Sequence, residues 1–201
     1  MTSAAPHEQL EPRHDQHDEH GNDLRDEHGN DLRQVSARDL GWVSRQLGRP
    51  ARAVLAVAAR CPCGCPAVVR TAPRLPGGTP FPTTYYATCP RLTGAISTLE
   101  SEGVMARMSE RLLEDDGLAR AYLRAHERYL ADRAALGSVP EIDGVSAGGM
   151  PSRVKCLHVL VAHSLAAGPG VNPLGDEALA MLPQWWHGGC CGEGDDEGGD
   201  A

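Results

Sequence analysis

The sequence predicts an α+β fold: a short antiparallel three-stranded sheet over about residues 52–88, packed with four to six helices. Three observations carry this reading. Short apolar runs bounded by Gly, Pro and Cys turns fill the stretch before Pro90. Beyond Pro90 the apolar residues recur at helical spacing. The two patterns are segregated along the chain, which separates α+β from alternating α/β folds.

Taken in order, Ser36 is placed to cap a helix over 37–47, with Leu40, Val43 and Leu47 on one face and Gly48 as its stop. AVLAVAA at 53–59 reads as a buried strand, CPCGCP at 61–66 as a tight turn and AVVRTA at 67–72 as the partner strand, so that 52–72 is a hairpin. TTYYAT at 83–88 is the third strand, and Pro90 suits the first turn of the helix that follows. Residues 90–136 read as helix in two or three pieces, broken near Gly103 and near Gly117. A Gly-rich loop covers 137–150, Pro151 opens an apolar helix over 151–167, and a last helix runs over roughly 174–186.

Composition sets the outer limits. The chain has 201 residues and a net charge of −8, with one Phe, four Tyr and three Trp, so its core must be built from Ala, Leu and Val. Its 19 basic residues include a single lysine, Lys155, which together with the Ala, Gly and Pro content reads as the codon bias of a GC-rich genome. The acidity is concentrated at the ends. Residues 1–35 form an acidic His-rich tail in which DEHGNDLR at 18–25 is repeated at 26–33, and residues 188–201 form an acidic Gly-rich tail carrying Cys190 and Cys191. Both are expected to be disordered, leaving 36–187 as a single α+β domain. That middle section is only weakly basic, which argues against a nucleic-acid partner. No apolar run is long enough for membrane insertion, and the N-terminus lacks a signal-peptide pattern, so a cytoplasmic protein with reduced cysteines is expected.

The seven cysteines dominate the chemistry. Cys61, Cys63 and Cys65 alternate with Pro and Gly in the hairpin turn, as thiolate ligands do in a zinc knuckle, although the usual spacing leaves two residues between cysteines. Cys89 precedes the helix-opening Pro90, where the helix dipole favours a thiolate that could act as ligand or nucleophile. Cys156, His158 and His163 lie on the apolar helix. At 100° per residue Cys156 and His158 point apart, and they converge only if the first turn is irregular. The ordinary alternative for each is a packed thiol or a hydrogen-bonded histidine. A second candidate is an anion site in which the Gly148 and Gly149 backbone meets Arg153 and Lys155 at the start of the same helix. The histidines of the first tail, His7, His14, His17, His20 and His28, could bind metal weakly.

Five segments in this order, RCPCGCP, GGTPFPTTYYATCP, LESEGVM, RVKCLHVLVAH and GPGVNPLGDEAL, resemble domain of unknown function family 501 over roughly 36–186. The resemblance implies an uncharacterised bacterial protein of the kind frequent in actinobacteria, whose genes often neighbour those of enolase, a septum-formation initiator and an exopolyphosphatase-like enzyme. It also implies that Cys61, Cys89 and Cys156 are the family's cysteine positions, with Cys63 and Cys65 ranking behind them.

The leading expectation is therefore a protein that binds zinc through Cys61, Cys89, Cys156 and either His158 or His163. The alternatives are an enzyme acting on a small anionic, phosphorylated substrate and an adaptor linked to cell division that uses Trp185 and Trp186 to meet a protein partner.

Overall fold

The computed structural model describes residues 35–187. The two expected tails, with the histidine cluster, Cys190 and Cys191, lie at positions 1–34 and 188–201, outside the described residues.

α1 spans Ala37–Leu47, capped by Ser36, whose side chain accepts from the Asp39 N–H, and closed by Gly48 in the left-handed conformation that favours glycine. Asp39 is also held by Arg60, whose guanidinium donates to both carboxylate oxygens at 2.9 Å, so α1 is tied to the first strand. β1 (Val54–Arg60), β2 (Pro66–Thr71) and β3 (Tyr85–Ala87) form an antiparallel sheet in the order β1-β2-β3. The cysteine turn joins the first two strands, closed by Gly64 N–H to Cys61 O and Cys61 N–H to Cys65 O.

Three helices follow: α2 (Pro90–Ser101), α3 (Val104–Glu114) and α4 (Asp116–Ala134). Gly103 breaks the first pair as expected. The second break, expected near Gly117, falls at Asp115, whose carboxylate accepts from the Leu118 N–H, and Gly117 is absorbed into the new helix. After a short 3-10 turn at Pro140–Ile142 come α5 (Leu157–Ala167) and α6 (Pro173–Met181). α5 packs on the sheet, α2 and α6. Leu157, Leu160, Val161, Ala162 and Ala167 are all buried, as a helix enclosed on several sides requires. It meets α6 so closely that a Cβ on Gly175 would stand 2.3 Å from the Leu160 carbonyl oxygen.

Two helix boundaries differ from the sequence-based expectation. Pro151 does not open α5. It follows a cis peptide bond at Met150, and the chain turns through 148–156 with Lys155 N–H donating to Gly148 O and Arg153 N–H to Gly149 O. At Gly148 a Cβ would meet Leu160 Cδ1 at 2.8 Å, and at Gly149 the Arg153 carbonyl oxygen at 2.7 Å. Both glycines are thus required by packing, at positive φ. The last helix ends at Met181, ahead of Pro183, and Trp185 and Trp186 follow outside it.

Candidate metal centre

Because α5 starts at Leu157, Cys156 is its N-cap residue and lies in extended backbone at φ −157°. This is the irregular first turn that convergence needs. Helical spacing no longer separates Cys156 from His158, and the two side chains can face the same point. Cys156 supplies no capping hydrogen bond, so the orphan amides of α5 look elsewhere for an acceptor.

Glu100, in the last turn of α2, fills that need. Its Oε1 accepts the Leu157 N–H at 2.7 Å and lies 3.2 Å from His158 Nδ1. His158 Nε2 meets the Thr93 carbonyl oxygen, also at 3.2 Å. Thr93 and Glu100 stand two turns apart on one face of α2. Helical carbonyls point toward the C-terminus and side chains lean toward the N-terminus, so both groups close on a single imidazole.

Among the described residues, Glu100, Cys156 and His158 are the group of three ligand-type side chains whose donor atoms all lie within 4.8 Å of one another. The 3.2 Å between Glu100 Oε1 and His158 Nδ1 is close to the edge of a tetrahedral zinc site, about 3.3 Å for bonds of about 2.05 Å. A carbonyl can only accept, so Thr93 holds the Nε2–H proton and leaves Nδ1 to face Glu100. An outer hydrogen bond of this kind orients metal-ligating histidines. Without a metal, the Cys156 side chain and the Glu100 carboxylate raise the His158 pKa to about 9 against the opposing effect of burial.

Cys156 and His158 also line a cavity of about 540 Å³. Its other walls come from the end of α1 (Gln46, Leu47), from β3 and its flanks (Thr83, Tyr85, Tyr86, Ala87, Thr88), from Thr93 and from Val159.

The remaining sequence candidates lie elsewhere. Cys61 and Cys89 are buried in the core, with Cys61 raised in pKa by burial, hydrogen-bonded to the Cys63 side chain and sensing Cys89. Cys65 is buried and Cys63 exposed. Among the described residues, none of these four joins a group of three ligand atoms within 4.8 Å, and neither does His163. His163 sits fully buried against the rings of both Tyr85 and Tyr129, its Nδ1 meeting the Asn172 amide at 3.3 Å. Arg153 and Lys155 are exposed and precede α5 instead of opening it, while Gly148 and Gly149 turn their carbonyls toward the Lys155 and Arg153 amides. Trp185 and Trp186 pack against the core, in edge contact at 4.7 Å.

Glu100 escaped the sequence reading because nothing in its local spacing marks it. The available signal was indirect: a helix beginning at a residue with no capping side chain needs an acid from another element.

The family model described as "Protein of unknown function (DUF501)" matches residues 57–180, and the chain belongs to this family. No curated protein and no solved structure matches it. No helix among the described residues is long and apolar enough to cross a membrane.

Proposed function

We propose, with membership of a family of unknown function as the premise, that this chain is a metal-binding protein. Its centre is Glu100, Cys156 and His158, and it takes one zinc ion with a fourth coordination position open to the cavity. The observation that carries the reading is the convergence of a thiol, an imidazole and a carboxylate from two different elements within 4.8 Å. One sulfur, one nitrogen and one oxygen suit the borderline softness of Zn²⁺, and three protein ligands with an open position are the pattern of sites that bind or activate a further molecule. This replaces the four-ligand closed site expected from Cys61, Cys89, Cys156 and a histidine.

The test is zinc stoichiometry of the full chain after equilibrium dialysis, measured by elemental analysis. Wild type is expected to retain one tightly bound zinc. Cys156→Ser and His158→Ala should lose it, while Cys61→Ala and Cys89→Ala should keep it. Glu100→Gln preserves an oxygen for the Leu157 amide but removes the anionic ligand, so it should fold and bind at least tenfold more weakly. Loss of zinc in Cys61→Ala or Cys89→Ala, with Cys156→Ser unaffected, would overturn the assignment. Weak binding by the tail histidines would appear equally in every variant.

One observation favours a second reading. The raised pKa of His158, with Cys156 as its leading cause, fits a thiol–imidazolium pair in which Cys156 is a nucleophile. In a thiol triad, however, the base contacts the thiol through one ring nitrogen and its carboxylate through the other. Here Thr93 O takes Nε2 and Glu100 stands at Nδ1, so no ring nitrogen is reserved for the thiol. That arrangement supports a metal.

A further inference from the structure

We propose that Cys61 and Cys63 form a thiol–disulfide exchange site whose substrate is a low-molecular-weight disulfide. The site shares no residue with Glu100, Cys156 and His158, and its argument does not depend on a metal.

The turn between the first two strands brings the thiols together. Gly64 N–H donates to Cys61 O at 2.7 Å, which makes Cys61-Pro62-Cys63-Gly64 a β-turn. Proline holds its second position, where the fixed φ of the ring is favoured. Gly64 stands at a φ of 87°, and Cys61 N–H returns to Cys65 O at 2.9 Å, so the turn is locked into the hairpin. Within it the Cys61 sulfur accepts the Cys63 N–H and meets the Cys63 thiol. Residues two apart have Cα atoms at most about 7 Å from one another, even in extended chain. A disulfide needs about 4.4–6.8 Å, so these two can be bridged with little movement of the backbone.

Exposure divides the roles. Cys63 is exposed and lines a surface depression of about 830 Å³, whereas Cys61 is buried. Packing accounts for the buried thiols Cys65 and Cys89. It gives no reason for an exposed thiol in contact with a buried one. An attacking cysteine on the surface with a resolving cysteine beside it is the arrangement that exchange requires. Burial also raises the Cys61 pKa, which keeps that group a thiol until a disulfide is engaged at Cys63.

The chemistry balances without a cofactor. The Cys63 thiolate attacks one sulfur of the substrate R–S–S–R, expels RS⁻ and stays joined to the other half as a mixed disulfide. Cys61 then loses its proton and attacks the Cys63 sulfur, forming the Cys61–Cys63 bond and expelling the second RS⁻. The turn gives up two electrons and two protons, and the substrate leaves as two RSH.

The experiment mixes the full reduced chain with oxidised glutathione in anaerobic buffer, quenches with iodoacetamide at intervals and digests with trypsin. Cleavage after Arg60 and Arg70 yields a peptide that holds Cys61, Cys63 and Cys65 and excludes the other four cysteines. Wild type is expected to bridge Cys61 to Cys63 and leave Cys65 to be alkylated. Cys61→Ala should hold glutathione on Cys63 at least about tenfold longer, because the intramolecular attack is gone. Cys63→Ser, at an exposed position, should fold and slow the oxidation of Cys61 at least about tenfold. Cys65→Ser should behave as wild type. A turn that stays reduced would overturn the proposal, as would a bridge from Cys63 to Cys65 or to Cys89. So would oxidation of Cys61 at an unchanged rate in Cys63→Ser, or a glutathione adduct that wild type keeps as long as Cys61→Ala does. Should Cys61→Ala fail to fold, the Cys63→Ser rate and the alkylation of Cys65 in wild type still decide the matter.

Discussion

Acid should destabilise this protein through one buried imidazole. Asn172 caps α6 with its Oδ1, which accepts the Gly175 N–H at 3.0 Å, so its amide nitrogen faces His163. His163 Nδ1 must therefore accept, and Nε2 carries the proton without a partner. Protonating Nδ1 would set two donors against each other inside a fully buried aromatic cage. Burial lowers the His163 pKa to about 4, with Asp132 and Asp176 raising it slightly and Arg128 opposing them. The unfolded chain takes up this proton near the ordinary value of 6.5. Between those values the unfolded state binds more protons than the native one, so stability is complete above about pH 6.5 and falls as the pH drops toward about 4. The loss is about 1–2 kcal/mol at about pH 5.5, about 2–3 kcal/mol at about pH 4.5, and levels off near about 3 kcal/mol. Asp39, lowered mainly by its hydrogen bonds with Arg60, loses its contribution only below its ordinary value of 3.8, outside this window. The assay is urea unfolding at a series of pH values for wild type and His163→Gln, whose amide oxygen can still accept from Asn172. The variant starts less stable but should lose about 2–3 kcal/mol less between about pH 7 and about pH 4.5. Parallel pH profiles for the two proteins would refute the argument.

Other consequences follow from the packing and the centre. Gly175→Ala should cost about 2–3 kcal/mol in urea unfolding, since its Cβ would stand 2.3 Å from Leu160 O and 2.5 Å from Ser164 Oγ. Gly94→Ala, on α2 with nothing within 4 Å of its Cβ, should gain about 0.5–1 kcal/mol in the same assay. Arg133 is buried and donates to the carbonyls of Pro82, Ile142 and Val145, so Arg133→Met should cost about 2–4 kcal/mol in that assay and loosen the 137–150 loop, visible as faster amide exchange there. Because His158 keeps its proton up to about 9, zinc must displace it at neutral pH. Zinc affinity by calorimetry should therefore rise at least about tenfold per pH unit between about pH 6 and about pH 8, and calorimetry in buffers of different ionisation enthalpy should count at least one proton released.

Much of the fold was legible because its local signals agree with its packing. Ser36 and Gly48 bracket α1 as expected, the cysteine turn joins two strands, and Pro90 stands at N1 of α2. The start of α5 was misread because Pro151 carries the signature of a first helical residue. What decides otherwise is non-local: Gly148 and Gly149 are pressed against Leu160, Val159 and Lys155, and the chain needs the whole 148–156 turn to pass them. The candidate site was half legible. Cys156 and His158 stand out by residue type, and the condition for their convergence could be stated in advance. Glu100 could not be found, because on a helix face rich in Ser, Thr and Glu a carboxylate that caps another helix looks like a solvated one. Cys61 and Cys89 were overvalued for the converse reason. A buried thiol is an ordinary small core side chain, and sequence cannot separate that role from ligation.

Glu100 links the centre to the fold. Its Oε1 already receives the Leu157 amide, so the carboxylate completes the N-terminus of α5 whether or not a metal is bound. The charge there is favourable in itself, because the helix dipole stabilises an anion at that end. A metal would therefore find one ligand in place, a second, His158, oriented by Thr93, and only Cys156 left to settle. Little ordering would be needed on binding, and little of the fold should depend on it. Removing the metal should free Cys156 and the turn before α5, and leave the sheet and the Leu157 cap where they are. A chain that unfolded on chelation would instead require a closed centre holding the hairpin turn, and among the described residues the buried Cys61 and Cys89 join no group of three ligand atoms.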